Sequence, residues 1–188
     1  MNDKRKTNAF TKNSIKDTVL ISLFAAVICG CTFVTVPFTV PFTLQTFGIF
    51  CTLLLLGGKR GTLCILLYVA LGLIGLPVFS GFSGGIGHLL GATGGYIFGF
   101  VLSAIAYWGL TSFFGENSPT KVTALFIGLI MCYATGTLWY ALTYGNGNFQ
   151  NSMKSALTLC VLPFLVPDII KLVLSFLLCR KLQNIKTF

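Results

Sequence analysis

The chain has 188 residues, of which 55% are hydrophobic and 9% charged, with a mean hydropathy of +0.87, whereas a soluble domain carries about 25% charge. That much apolar surface cannot be hidden in a soluble fold of this length, so the composition predicts an all-α integral membrane protein. The net charge of +9 is then a signal of topology and of attraction to anionic lipid, and no nucleic-acid partner follows from it.

Residues 1–17 form a basic segment carrying Lys4, Arg5, Lys6, Lys12 and Lys16. They precede the first apolar run as a signal-peptide n-region would. That run is too long, however, and Val34-Thr35-Val36-Pro37 offers no small-residue cleavage site. A membrane span needs about 20 apolar residues at 1.5 Å rise each. The chain divides into six runs of about that length: Thr18 to Val36, Val40 to Leu56, Thr62 to Phe79, Thr93 to Phe114, Val122 to Tyr144 and Leu157 to Leu178. Residues 18–179 thus read as one six-helix transmembrane domain, followed by a basic tail, 180–188. On the first span Ser22, Ala26 and Gly30 recur every four residues, a small-residue stripe that admits another helix closely. It suits either internal packing or docking to a separate membrane subunit.

The thirteen Lys and Arg residues set the orientation. With the N-terminus cytoplasmic, eleven fall on the inner side: the five above, Lys59, Arg60, Lys121, Arg180, Lys181 and Lys186. Lys154 alone lies outside, and Lys171 lies within the last span. Both termini are therefore expected in the cytoplasm.

The last span carries two charges, in Pro167-Asp168-Ile169-Ile170-Lys171. A central Asp or Lys costs roughly 2.5 to 3.5 kcal/mol on insertion, so both must pair, reach water or bind something polar. Three residues apart, they share a helical face. A self-neutralising packing pair and a polar substrate site inside the membrane both satisfy that requirement. Pro163 and Pro167 lack the N–H that a continuing helix needs. They predict a broken or restarted helix near Pro167 with Asp168 in its first turn, a feature of membrane binding sites.

Residues 81–96 form a glycine-rich, nearly uncharged connection, suited to approach a ligand or close as a lid, or to serve as a flexible external turn. Its Gly81-Phe82-Ser83-Gly84-Gly85 matches the nucleophile elbow only as a string, because the elbow needs a soluble sheet. It also matches an intramembrane protease motif, yet the only histidine, His88, is five residues away in the same loop. Gly57-Gly58-Lys59-Arg60-Gly61 lacks the frame of a phosphate loop, so no ATP site is expected in this chain. The seven cysteines show no metal-ligand spacing and read as small hydrophobes.

Four stretches then carry a family resemblance: Val40-Pro41-Phe42-Thr43-Leu44-Gln45-Thr46-Phe47-Gly48, Gly75 to Gly85, Gly91-Ala92-Thr93-Gly94-Gly95-Tyr96, and Pro163 to Lys171. In this order the sequence resembles the BioY family, the biotin-binding S components of energy-coupling factor (ECF) transporters. The resemblance implies an S-component fold in the bacterial cytoplasmic membrane and no enzymatic activity. It implies biotin as the transported ligand and no cofactor of its own. Its partners would be a transmembrane coupling protein and two cytoplasmic ATPases that hydrolyse ATP, with ATPase-independent secondary transport as the alternative.

Asp168 and Lys171 match the family's binding residues. The carboxylate suits the two ureido N–H groups of biotin, and the ammonium suits a ligand oxygen. Phe79, Tyr96, Trp139 and Tyr140 are candidates to enclose the rings and aliphatic chain. Gln45 is a further polar candidate, and Ser83, Gly84 and Gly85 are candidates to close the entrance. Ser22, Ala26 and Gly30 become candidates for docking the coupling protein. Many relatives carry a basic or polar residue where this chain has Phe82-Ser83, which leaves the biotin carboxylate without an evident counter-charge.

Overall fold

The structure is a computed structural model that describes residues 2–36, 42–143 and 149–185, with side chains described from Ser14 to Asn184. The expected span ends at Val40 and Tyr144, and Val40-Pro41 of the first motif, lie outside the described residues. So do Pro37, the side chains of Lys4, Arg5, Lys6 and Lys12, and Lys186.

Helix α1 (Asn2–Phe33) carries the apolar span Ser14–Phe33. Its Ala25, Ile28 and Thr32 are buried at helical spacing, whereas Ser22, Ala26 and Gly30 are exposed. The helix stops where the β-branched Val34, Thr35 and Val36 favour extended backbone. There β1 (Thr35–Val36) pairs antiparallel with β2 (Phe42–Thr43), Thr35 opposite Thr43.

Helix α2 (Gln45–Leu73) holds the second and third expected segments in one element, interrupted at Gly57 with φ 78° and ψ 177°. Only glycine adopts that conformation without strain. The chain doubles back there. Gln45 Nε2 donates to Tyr68 Oη at 2.8 Å, although the two residues would stand about 34 Å apart on a straight helix. The third segment was expected to reach Phe79. Its helix ends at Leu73, because Gly75 at φ 101° and then Pro77 turn the chain.

The short α3 (Ile86–Leu89) leads to α4 (Gly94–Phe114) and α5 (Ser118–Thr143). Asn117 opens α5 by accepting the Thr120 N–H at 3.0 Å. The two helices pack closely because Gly99 and Gly128 leave room. A Cβ on Gly99 would lie 2.8 Å from Cys132 Cα, and one on Gly128 would lie 3.2 Å from Ser103 Cβ. Ser103 Oγ bridges the pair, 2.6 Å from the Gly128 carbonyl.

Helix α6 (Phe149–Ala156), a π-helical turn (Leu157–Val161) and α7 (Leu162–Ile185) form one continuous rod. The expected break at Pro167 is not there: Pro167 lies inside α7, and Asp168 follows well past its first turn. The irregularity falls earlier, where Leu162 N–H donates to Leu157 O, five residues back. This wider turn gives the Pro163 ring the room that a regular α turn denies it. Among the described residues five helices are long and apolar enough to cross a membrane. Their outward faces, including Leu174, Leu177 and Phe126, remain apolar and exposed, as lipid contact requires.

Candidate functional site: a charged pair in a membrane cavity

On α7 the inward face is Asp168, Lys171, Leu172, Ser175 and Cys179, all buried and recurring at helical spacing. Asp168 is 3% exposed and Lys171 5%. Lys171 Nζ donates to Asp168 Oδ1 at 2.8 Å, to the Thr43 carbonyl at 2.6 Å and to Thr46 Oγ1 at 3.1 Å. An ammonium has three N–H donors, so all are engaged. Nζ also stands 4.0 Å from the Phe42 ring centroid, a cation–π arrangement that replaces part of its lost hydration. Asp168 accepts from Thr46 Oγ1 at 2.9 Å on Oδ1 and from Tyr133 Oη at 2.6 Å on Oδ2. Excising two charges from water costs several kcal/mol per ion unless such partners return it. Here β2, α2, α5 and α7 each supply one.

This network forms one wall of a cavity between the helices. Apolar and aromatic side chains cover most of the rest: Phe79, Ile97, Phe100, Leu129 and Phe164. Polar groups enter as Gln45, Ser80, His88, Thr93 and Tyr96. The Tyr96 hydroxyl, beside Thr137, is buried with no hydrogen-bond partner of proper geometry among the described residues.

The residues singled out from the sequence divide. Asp168, Lys171, Gln45, Phe79 and Tyr96 line the cavity; Ser83, Gly84, Gly85, Trp139 and Tyr140 do not. Trp139 Nε1 donates to the Gly91 carbonyl at 3.1 Å, anchoring the start of α4. The aromatic side chain that α5 presents to the cavity is Tyr133, about two turns earlier. Gln45 ties the two arms of α2 through Tyr68, which donates to Val78 O at 3.0 Å.

Ser83 pairs with Phe79 across a single β-bridge, and a Cβ on Gly84 would run into the Leu76 carbonyl, so this stretch folds back tightly. From the same loop Ser80 and His88 reach the cavity, while Phe82 stacks on Phe33 of α1 at 4.6 Å. Ser83 Oγ lies 3.4 Å from His88 Nε2, but its hydroxyl donates to Ser80 O at 2.7 Å, so the two are not arranged as a nucleophile and base. The cysteines are all free, and no group of three metal-ligating residues occurs among the described residues.

Thr43, Thr46 and Tyr133 were not anticipated. Thr43 and Thr46 lie inside a recognised motif, which was the available signal. Tyr133 had none.

The fold defines a multi-pass cell-membrane protein with a partly polar cavity between its helices. The sequence profile of the BioY family matches residues 3–187. A probable biotin transporter BioY from Pyrococcus horikoshii is 39% identical over 170 residues, covering 90% of this chain and 97% of that protein. The biotin transporter BioY of Thermotoga maritima is 35% identical over 173 residues, covering 92% and 98%. A crystal structure of the S-component for biotin from an ECF-type ABC transporter superposes with a TM-score of 0.78 at 27% identity, covering 92% of this chain and 93% of that one. The chain belongs to the BioY family.

Proposed function

We propose that this protein captures biotin in its membrane cavity and serves as the substrate-binding subunit of an ECF-type transporter. The observation that carries the reading is the buried Asp168–Lys171 pair, held by four elements at the wall of an otherwise apolar cavity. A carboxylate offers about four lone-pair sites. Three are engaged, and the open one on Oδ2 suits a ureido N–H. With its donors engaged, Lys171 acts by fixing Asp168 rather than by reaching the ligand itself. The Tyr96 hydroxyl is a free donor for a ligand oxygen, and Phe79, Phe100 and Phe164 suit the apolar rings and chain.

In this reading the two arms of α2 count as separate spans, giving six, with both termini cytoplasmic as the distribution of Lys and Arg requires. The exposed stripe Ser22, Ala26 and Gly30 faces outward, and a Cβ on Gly30 would touch nothing within 4 Å. That supports docking of a coupling protein, which with two ATPases supplies the energy. The protein itself catalyses no reaction.

The test is calorimetry of biotin binding to the purified full chain, with Asp168→Asn alongside. Tight binding that the variant loses supports the assignment. A well-folded wild type that binds no biotin overturns it. Gly30→Trp separates docking from capture, since it is expected to retain binding and lose uptake in cells.

A further inference from the structure

The cavity wall balances its own charge. Asp168 and Lys171 cancel, and the three N–H groups of Lys171 are engaged by Thr43, Thr46 and Asp168. A ligand that carries a carboxylate, as biotin does, therefore brings a negative charge for which the pair holds no free donor.

The titratable groups facing the cavity are few. Among the described residues, besides the pair on α7, they are Tyr96 from α4, Cys132 and Tyr133 from α5, Cys160 from the π turn, and His88 from α3. Thiols and phenols ionise to anions and cannot answer a carboxylate with positive charge. Among the described residues lining the cavity, His88 is the remaining side chain that becomes a cation near neutral pH.

Its position suits the role. The imidazole stacks on Phe79, with ring centroids 5.4 Å apart and planes at 20°, so the ring is held in one orientation and a protonated ring would sit over an aromatic face. Its polar contact, Ser83 Oγ, is long at 3.4 Å and leaves His88 open to a stronger partner. Burial pushes the imidazole below its ordinary value, so in the empty protein it is neutral at pH 7.

We infer that His88 is the counter-charge for the ligand carboxylate and takes up one proton from solvent as the ligand enters. The inference rests on the assignment of biotin to this cavity. Its sign follows from linkage: an adjacent anion favours the imidazolium, so the complex binds a proton that the empty protein does not. Affinity is then highest at acid pH. It falls by about tenfold per pH unit between the pKa of the empty protein and that of the complex, and levels off above.

The experiment is biotin calorimetry on the full-length protein at pH 7 in buffers of differing ionisation enthalpy, repeated from pH 6 to 8. The expected result is net proton uptake on binding and an affinity about tenfold or more higher at pH 6 than at pH 8. Biotin amide, which lacks the charge, should show neither effect, and His88→Gln should lose both for biotin. Tight biotin binding without proton uptake, or a pH slope retained by His88→Gln, would overturn the inference while leaving biotin capture intact. Absence of biotin binding by the wild type at any pH would overturn the functional assignment itself and this inference with it.

Discussion

The Asp168–Lys171 pair at 2.8 Å and the Asp17–Arg60 pair at 3.0 Å differ little in length, but they differ in surroundings. The side chains of the first are 4% and 7% exposed, those of the second 37% and 49%. Around the buried pair the remaining donors of Lys171 and all but one lone pair of Asp168 are directed at Thr43, Thr46 or Tyr133. The exposed pair joins α1 to the second arm of α2 in a medium that screens it. Length alone therefore says little about what an ion pair contributes. Enclosure and the partners around it decide whether it fixes geometry or merely decorates a surface.

The largest effect should come from breaking the enclosed pair on one side only. Asp168→Asn leaves the Lys171 ammonium buried without its counter-ion and should cost about 3–5 kcal/mol of stability, read as a lowered denaturation midpoint in detergent. Removing both charges, in Asp168→Leu with Lys171→Met, should restore most of that stability while leaving no biotin binding. A double variant as unstable as the single one would mean that the pair holds the fold by more than charge balance.

Tyr133→Phe comes next. It deletes a hydrogen bond to a charged acceptor, worth about 1.5–3 kcal/mol, and should weaken biotin binding by about tenfold as Asp168 loses one of its restraints. The smallest effect belongs to the exposed pair. Arg60→Ala should change stability by less than about 1 kcal/mol and leave biotin affinity unchanged. A larger change would make the two pairs more alike than their exposures suggest.

Much of the site could be read from the sequence because charge inside an apolar run has few explanations. Asp168 and Lys171 stood out by cost alone, and the small-residue stripe on α1 stood out by period. The supporting groups did not. Thr43, Thr46 and Tyr133 are ordinary residues, and the bonds that recruit them join positions between 35 and 128 residues apart. On α5 the sequence offered several aromatic residues without saying which face turns inward, and Trp139 and Tyr140 were chosen where Tyr133 lines the cavity. The two prolines pointed to a break near Pro167, but α7 continues through that residue as one helix. The irregularity falls in the π turn before Pro163, which gives that ring room, and not at the charge itself.

That π turn also sets the bearing of everything after it. A π segment holds one residue more than the α-helix it interrupts, so residues 157–161 act as a phase offset between α6 and α7. Deleting a single residue there would let the rod wind regularly and still leave the face bearing Asp168 turned to the cavity, because the wider turn absorbs one residue in about the same rotation. A change that tightened the turn to α-helix at constant length would instead swing that face by about 100°, out of the cavity and toward lipid. The turn should therefore tolerate the loss of one residue better than a change that regularises it at full length.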